Sequence, residues 1–499
     1  MFESAELGHK IDKSTYEKEE PALREALLAA QFDLAQARKF PVIIVIGGVD
    51  GAGKGETVNL LHEWMDPRHI ATHAFADPSD EERERPRMWR FWRALPPKGR
   101  IGILFGAWHT EPIVRRAMRE SRSADLDRAI DEIVRFERML TDEGALLLKF
   151  WFHLSKDRQK RRLRALEKDK RMRWRVTETD WERFENYDRF REVSEHYLRN
   201  TSTGHAPWIV VEGEDARYRS LTVGKTILTA LRERLDPKAQ KRVPEKAPPL
   251  LPAIDRRRVL GSLDLAQSIP RKKYHDRLET LQGRLNLLSR HPRFRRLGVV
   301  VAFEGPDAAG KGGAIRRITG ALDSRHYQVV PVAAPTEEER AQPFLWRFWR
   351  HIPRRGRFTV FDRSWYGRVL VERVEGYCDE PDWMRAYSEI NAFEGQLAGN
   401  DYLVAKFWLQ IGADEQLRRF QEREKTGFKR FKITAEDWRN REKWDAYEIA
   451  ADDMIERTST EVAPWTLVEA NDKYHARIKV LATLCDRIES ALDKVKRAD

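Results

Sequence analysis

The stretch Gly305-Pro306-Asp307-Ala308-Ala309-Gly310-Lys311-Gly312 follows the apolar, β-branched run 298–304 and precedes a helical pattern. It fits the motif G-x-x-x-x-G-K, whose backbone N–H groups surround a phosphate group at the N-terminus of a helix. Glycines let the backbone approach the phosphate oxygens, and the lysine adds a positive charge. The stretch therefore predicts a phosphate-binding loop between a central parallel strand and the next helix.

The end of this motif departs from the usual pattern. Gly312 stands where a serine or threonine ordinarily supplies a hydroxyl ligand for Mg²⁺, so carboxylates must hold the metal. Asp307 lies inside the loop, and Asp362 follows the apolar run Arg357–Phe361. A strand-end aspartate can also cap a helix. With the loop upstream, we favour a metal site of the kind used in phosphoryl transfer, with Arg363 placed to contact phosphate.

The same motif occurs twice, at a constant spacing of 257 residues. Residues 41–53 (PVIIVIGGVDGAG) correspond to residues 298–310 (GVVVAFEGPDAAG), and no gap is needed farther along. The further matching pairs are Trp89–Arg93 with Trp346–Arg350, Lys149–Trp151 with Lys406–Trp408, Asp180–Trp181 with Asp437–Trp438, and Ala206–Trp208 with Ala463–Trp465. Because this period is far too long for a solenoid, it indicates a duplicated domain. We predict domains at 1–235 and 257–499, joined by the proline- and charge-rich linker 236–256.

Each copy alternates apolar runs with helical patterns. An amphipathic helix is predicted first in each, at Leu23–Arg38 and Leu278–Ser289. After the run 298–304, the second copy has four more candidate strands: Gln328–Ala333, Arg357–Phe361, Tyr402–Leu409 and Trp465–Glu469. This alternation predicts an α/β fold with a parallel sheet covered by helices on both sides. The basic segment Asp414–Arg457 is predicted to be a helical excursion from the sheet.

Composition excludes several classes of protein. The chain has 499 residues, 41% of them hydrophobic and 10% aromatic, which excludes general disorder. No apolar run approaches the roughly 20 residues of a membrane span, and the first residues do not resemble a signal peptide. The only cysteines, Cys378 and Cys485, lack metal-ligand spacing, so we expect a reducing cytoplasm. The net charge of +12 predicts an anionic partner: nucleic acid, acidic lipid or a phosphate polymer.

The motifs of the second copy resemble those of the polyphosphate kinase 2 family. The resemblance is carried by Gly305-x-Asp307-x-x-Gly310-Lys311-Gly312-Gly313, Phe361–Tyr366, Asp437-Trp438 and Ala463–Trp465. It covers nearly all of 270–490 and, more weakly, 15–235. The double form, with the stretch 366–374 (YGRVLVERV), resembles the fused two-domain branch, the polyphosphate:AMP phosphotransferases.

This resemblance implies two tandem P-loop kinase domains and Mg²⁺-dependent phosphoryl transfer from inorganic polyphosphate to a nucleotide, AMP becoming ADP. It assigns the metal to Asp307 and Asp362, and phosphate groups to Lys311 and Arg363. Phosphate or nucleotide contacts are further expected from the loop residues Gly305, Ala308, Ala309, Gly310, Gly312 and Gly313, from Arg368, Lys473 and Arg477, and from a basic lid that includes Lys429, Arg430 and Lys432. A basic track suits a densely charged polymer, although a charged run can also be a solvated face and Lys473 a surface lysine.

The first copy keeps Asp50 and Lys54 but has Phe105 in place of Asp362 and Gly106 in place of Arg363. A phenylalanine cannot hold Mg²⁺. Further polar positions are also replaced: Arg368 by Glu111, Lys429 by Met172, Lys473 by Ala216 and Arg477 by Ser220. We therefore predict a non-catalytic first domain with a degenerate site. It could still bind polyphosphate through Arg161, Arg162 and nearby cations, or stand in for the second subunit of a dimer.

Two other functions remain open at this point. One is an ATP-dependent nucleoside monophosphate kinase on the same fold, and the other is a P-loop protein that binds polyphosphate or nucleic acid without turnover. The basic lid and the missing serine or threonine favour polyphosphate as the donor, and the intact second site argues against a binding protein. No nucleic-acid-binding module is recognisable. The expected partners are polyphosphate and AMP or ADP, with a homo-oligomer possible and no membrane or nucleic acid expected.

Overall fold

The computed structural model describes residues 1–236, 258–427, 431 and 433–495. Apart from Asp236, the predicted linker 236–256 lies outside these residues. The chain divides into two compact units. The first comprises residues 1–78, the N-terminal half from residue 90 onward, and residues 336–343; the second comprises residues 79–89 and the rest of the C-terminal half.

Each half of the chain forms a five-stranded sheet in which every pair of neighbouring strands is parallel. The first sheet has the order β2-β3-β1-β4-β5, with β1 at Val42–Gly48, β2 at Ile70–Ala74, β3 at Ile101–Phe105, β4 at Leu146–His153 and β5 at Trp208–Glu212. The second has the order β10-β9-β6-β8-β7, with β6 at Gly298–Glu304, β7 at Tyr327–Pro331, β8 at Phe358–Asp362, β9 at Tyr402–Gln410 and β10 at Trp465–Glu469. The predicted fold class is confirmed.

Helices cover both sheets in the same sequence order. In the N-terminal half they are α1 Lys13–Ala37, α2 Lys54–Trp64, α3 Asp80–Arg83, α4 Trp89–Arg93, α5 Thr110–Ala117, α6 Ser123–Asp142, α7 Lys156–Lys168, α8 Glu178–Glu185, α9 Tyr187–Thr201 and α10 Ala216–Leu235. In the C-terminal half they are α11 Arg271–Ser289, α12 Lys311–Thr319, α13 Glu337–Arg340, α14 Trp346–Trp349, α15 Val371–Glu375, α16 Glu380–Ala398, α17 Ala413–Lys425, α18 Ala435–Glu442, α19 Trp444–Thr458 and α20 Lys473–Val495. Within the described ranges, each helix is too short or too polar to span a bilayer.

Three predicted helical segments differ in detail; one of them, predicted at Leu278–Ser289, begins at Arg271. The helix predicted at Leu23–Arg38 begins ten residues earlier, at Lys13, because the Asp12 carboxylate caps it by accepting from the Thr15 backbone N–H at 2.9 Å. The predicted excursion Asp414–Arg457 is divided into α17, α18 and α19. A new helix begins after Thr434, whose side chain and that of Asp437 form a capping box, so the segment is not one rod.

The strand order places the loop at the middle of each sheet. β6 is buried along its whole length between β8 and β9, which explains its continuous apolar sequence. The chain runs from β6 to one side of the sheet for β7 and β8, and then to the other side for β9 and β10. The carboxyl end of β6 therefore lies at the topological switch point, where parallel α/β sheets bind their ligands.

A buried ion pair stabilises the turn that follows β8. Lys406 Nζ donates to Glu394 Oε2 at 2.7 Å, and both side chains are fully buried. The other oxygen of Glu394 accepts from Trp365 Nε1 at 3.0 Å and from the Tyr366 hydroxyl at 2.7 Å. Because a buried charge is tolerated only when it is paired and hydrogen-bonded, this network holds Trp365 and Tyr366 in place. It thereby positions the preceding residues, Asp362 and Arg363.

Candidate active site

The loop after β6 has the backbone of a phosphate-binding loop. Gly305 and Gly310 have φ angles of 136° and 107°, and Ala308 has a φ of 64°. The N–H group of Gly313 donates to the Gly310 carbonyl at 2.9 Å, whereas those of Lys311 and Gly312, at the very start of α12, are available to an anion. Lys311 Nζ donates to the carbonyl oxygens of Gly305 at 2.6 Å and Pro306 at 3.1 Å. The lysine therefore folds back over the loop, at the position where a bound phosphate would lie.

Gly305 is the position at which this loop tolerates no side chain. A Cβ there would overlap the Leu409 carbonyl oxygen, and its φ is unfavourable for any other residue. We expect Gly305→Ala to lower the free energy of unfolding by about 3 kcal/mol, measured by thermal or urea unfolding. Gly312→Ala is the matched control, because its methyl group would meet no described atom within 4 Å and alanine favours the helix. Equal stability of the two variants would contradict the tight approach at Gly305.

Asp307 lies at the centre of the polar contacts around the loop. Its Oδ1 accepts from Arg363 Nη2 at 2.7 Å, and its Oδ2 accepts from Asn440 Nδ2 at 3.0 Å. Burial disfavours the ionised carboxyl, but the charges of Lys311 and Arg363 outweigh it and hold the pKa of Asp307 below its usual value. Asp307 is therefore a carboxylate at neutral pH, as a metal ligand must be.

Arg363 adopts a backbone conformation that favours glycine. Its φ is 64°, and its counterpart in the first domain, Gly106, has a φ of 67°. A left-handed conformation costs a residue with a side chain about 1 kcal/mol. The second domain thus keeps an arginine where glycine would be less strained. Strain of this kind concentrates at functional sites, and here the guanidinium it presents contacts Asp307.

Asp362 ends β8 and pairs in register with Phe303 of β6, one residue before the end of that strand. It is half-buried, and its charge acts on Lys311 together with that of Asp307. Burial lowers the pKa of the Lys311 ammonium, and the two carboxylates oppose that effect. Asp307 and Asp362 are thus both close to Lys311.

These two carboxylates fit a divalent cation. Among the described residues, no group of three His, Cys, Asp or Glu side chains converges as a metal site. A cation held by Asp307 and Asp362 would therefore take its other ligands from phosphate and water. Mg²⁺ prefers that combination, because it binds one or two carboxylates plus substrate phosphates and keeps several of its waters.

A cavity of about 100 Å³ lies beside the loop. Its apolar wall is formed by Leu370, Val371, Trp408, Trp444 and Tyr447. Its polar lining is formed by Glu304, Asp307, Arg363, Gln410, Gln416, Asn440 and Glu448, with Gly305, Pro306 and Gly367 between them. A nucleotide combines a flat aromatic base with phosphate groups. The apolar wall of this cavity suits the base, and its polar side next to the loop suits the phosphates.

Of the other residues predicted to contact phosphate or nucleotide, some lie near the loop and others do not. Arg477 Nη2 would lie 3.2 Å from a Cβ at Gly313, so its guanidinium reaches the first turn of α12. Lys473 is exposed, with Nζ 5.3 Å from the centroid of the Tyr474 ring. Arg368 does not line the cavity. The Arg368 side chain pairs with Glu372 at 2.9 Å and lies over the Phe344 ring. The lid positions Lys429, Arg430 and Lys432 lie outside the described residues.

The structure gives contacts for Arg419, which the sequence placed in the basic lid, and adds Gln416 and Glu304, which the sequence did not single out. Arg419 donates to the loop carbonyls of Ala308 at 2.9 Å and Ala309 at 3.2 Å, and also to the carbonyls of Ala470 and Asn471. Gln416 donates to the Asp307 carbonyl at 3.1 Å. The buried Glu304 accepts from the Ser364 hydroxyl at 2.8 Å, and burial raises the pKa of its carboxyl. The repeat carried a signal for Glu304, because Gly47 takes its place in the first copy.

Two stretches, residues 10–239 and 268–496, match the family described as Polyphosphate kinase 2 (PPK2). The chain belongs to the polyphosphate kinase 2 family. It is 60% identical over 496 residues to the polyphosphate:AMP phosphotransferase of Pseudomonas aeruginosa, covering 99% of this chain and 100% of the relative. It is 38% identical to the enzyme of the same name from Acinetobacter johnsonii, covering 94% and 96% of the two chains. A crystal structure described as a polyphosphate kinase 2 from Pseudomonas aeruginosa superposes with a TM-score of 0.90 at 58% identity, covering 99% and 100%.

In this polyphosphate kinase 2 chain, the first domain keeps the loop but surrounds it differently. Lys54 Nζ donates to the carbonyls of Gly48 at 2.7 Å and Val49 at 2.9 Å, as Lys311 does in its own loop. Glu56, however, replaces Gly313, and its carboxylate pairs with Arg219 at 2.7 Å and Arg162 at 2.9 Å. Cations beside this loop are thus already neutralised by a carboxylate of the same domain.

Proposed function

We propose that this chain transfers the terminal phosphoryl group of inorganic polyphosphate to AMP, forming ADP, and that the second domain carries the reaction. The observation that carries the proposal is the gathering of Asp307, Lys311, Asp362 and Arg363 at the switch point of the second sheet. The two full-length relatives named polyphosphate:AMP phosphotransferase support the same donor and acceptor.

The chemistry needs no covalent intermediate on the protein. An oxygen of the AMP phosphate forms a bond to the terminal phosphorus of polyphosphate, and the bond from that phosphorus to its bridging oxygen breaks. The products are ADP and a polyphosphate chain shorter by one phosphate. Because negative charge is concentrated on the transferred group and its neighbours, catalysis depends on positioning and on opposing charge. Lys311, the N–H groups of the loop and Arg363 supply both.

Asp307 and Asp362 are the residues that would hold Mg²⁺. When bound, the cation neutralises charge on the phosphate oxygens. Arg363 pairs with Asp307 at 2.7 Å, so its guanidinium is held beside the loop with its planar group ready to donate to a phosphate. Asn440 of α18 and Gln416 of α17 hold Asp307 in place, through its carboxylate and its carbonyl oxygen respectively. Arg419, bound to loop carbonyls, ties α17 to the same loop.

The domain assignment follows from the same geometry. We assign catalysis to the second domain, 257–499, because Phe105 and Gly106 replace Asp362 and Arg363 in the first domain, 1–235.

Cys378 and Cys485 are free thiols, which agrees with a reducing cytoplasm as the compartment.

Comparing phosphoryl donors tests this function against an ATP-dependent nucleoside monophosphate kinase. The purified chain is incubated with Mg²⁺ and either long-chain polyphosphate or ATP, with AMP, ADP, GMP and GDP as parallel acceptors. We expect ADP to form from AMP at least tenfold faster with polyphosphate than with ATP, as measured by chromatography of the nucleotides. Turnover with ATP alone would establish the alternative, and binding without turnover would establish a binding protein.

A further inference from the structure

The two domains have the same cleft beside their loops, but its free volume differs. In the second domain the cavity measures about 100 Å³, and at the corresponding positions of the first domain it measures about 30 Å³. The first domain nevertheless has the smaller loop-side residues, with Gly47 for Glu304 and Gly106 for Arg363. The contacts of the N-terminal segment show what takes up space in the cleft of the first domain.

Part of this cleft is filled by the first domain's own N-terminal segment, residues 2–6. Phe2 is fully buried, and its ring stacks on His153 with centroids 4.4 Å apart and lies 6.1 Å from the Trp151 ring. His153 and Trp151 correspond to Gln410 and Trp408, which line the open cavity of the second domain. The cleft of this fold thus accepts a flat aromatic ring at that place.

The same segment is also held by charge. Glu6 Oε1 lies 2.8 Å from His153 Nε2 and 3.7 Å from Arg191 Nη2, and Glu3 lies 3.6 Å from Arg191. Arg191 corresponds to Glu448 in the second domain. In the first domain, the positive charge of Arg191 therefore pairs with the negative charges of Glu3 and Glu6.

Among the described residues of the second domain, no segment takes the corresponding place. Val259, the counterpart of Phe2, is 45% exposed and does not line the cavity. Glu448 lines the open cavity, and in the part of the chain that the structure describes no side chain pairs with it. A carboxylate repels phosphate, so its useful partner in a nucleotide is a neutral N–H or O–H group.

We propose that Glu448 determines specificity for the acceptor nucleoside: its carboxylate accepts a hydrogen bond from the nucleoside, whose base packs beside Trp408. This inference rests on the proposed function, because it takes AMP as the occupant of the cleft. Two groups of AMP have the required chemistry, namely the ribose hydroxyls and the exocyclic amino group of adenine. This accounts for the difference between the two domains at this position. Arg191 binds an acidic segment of its own chain, whereas Glu448 would bind a nucleoside.

The test compares Glu448→Ala and Glu448→Gln with Glu456→Ala, an exposed position on the same helix that is outside the site. Initial rates are measured with AMP, 2′-deoxy-AMP and IMP at saturating polyphosphate, and the KM for polyphosphate is measured at saturating AMP. We expect Glu448→Ala to raise the KM for AMP about tenfold, the usual effect of losing one hydrogen bond to a charged group. The kcat and the KM for polyphosphate should change less than twofold, Glu448→Gln should lose less than Glu448→Ala, and Glu456→Ala should match the unmodified chain.

The analogues identify the group that Glu448 contacts. If the ribose 2′-hydroxyl is the donor, Glu448→Ala leaves the KM for 2′-deoxy-AMP unchanged; if the amino group is the donor, it leaves the KM for IMP unchanged. An unchanged KM for AMP in Glu448→Ala would overturn the proposal. So would an equal loss with all three acceptors accompanied by a lower melting temperature, since that pattern indicates a structural role. A failure of the proposed function is distinguishable, because the unmodified chain would then show no polyphosphate-dependent turnover.

Discussion

Lys311→Ala is expected to reduce polyphosphate-dependent phosphoryl transfer by about 10³-fold or more, whereas Lys54→Ala should retain most of the activity. The loss of Lys311 removes a positive charge from the position of the transferred group. Lys54 occupies the equivalent place in a domain whose second carboxylate is replaced by Phe105. The measurement is kcat with polyphosphate and AMP at saturating Mg²⁺.

The two lysines make a well-matched pair of variants. Each Nζ donates to two carbonyl oxygens of its own loop, Lys311 to Gly305 and Pro306, and Lys54 to Gly48 and Val49. Lys54 makes one further contact, to Asp50 Oδ1 at 3.1 Å, so melting temperatures are measured in parallel to separate structural damage from loss of chemistry. A difference in rate then reports chemistry. Comparable loss of activity in both variants would refute a single catalytic domain.

Asp362→Asn is expected to lower kcat by about 10³-fold without unfolding the chain. Asparagine has nearly the same volume but lacks the charge that would hold Mg²⁺. The backbone carbonyl of Asp362, which accepts from the Val332 N–H at 3.0 Å, is unaffected by the change. Rates are measured over a Mg²⁺ titration, with melting temperature in parallel. Asp401→Asn is the control. Asp401 directly precedes β9, so it lies at the amino-terminal ends of the strands, away from the loop at their carboxyl ends.

The alternative role of Asp362, as a helix cap, finds no support in the contacts. The short helical turn that follows, Trp365–Arg368, is capped by Ser364, whose hydroxyl accepts from the Tyr366 N–H at 3.4 Å. Near-normal turnover of Asp362→Asn at saturating Mg²⁺ would show that the carboxylate is not a metal ligand.

The sequence alone predicted the duplication, the α/β class, the family and the central residues of the site. These features can be predicted because short contiguous motifs and the 257-residue repeat carry them. A buried strand followed by G-x-x-x-x-G-K fixes where the loop lies, and parallel strands bring their carboxyl ends to one edge, so Asp362 had to lie near Lys311. The repeat also led to the prediction that the first copy is non-catalytic, because Phe105 and Gly106 could be compared directly with Asp362 and Arg363.

Side-chain partners across long stretches of chain were decided only by the tertiary structure. Asn440 reaches Asp307 because α18 folds back over the loop, and no local pattern specifies that approach. Phe2 lies about 150 residues before the ring on which it stacks, and its burial depends on the shape of a cleft that exists only once β1, β4 and α9 have assembled. Sequence determines which chemistry each residue can supply, and packing determines which residues meet, because burial depends on the whole fold rather than on neighbours in the chain.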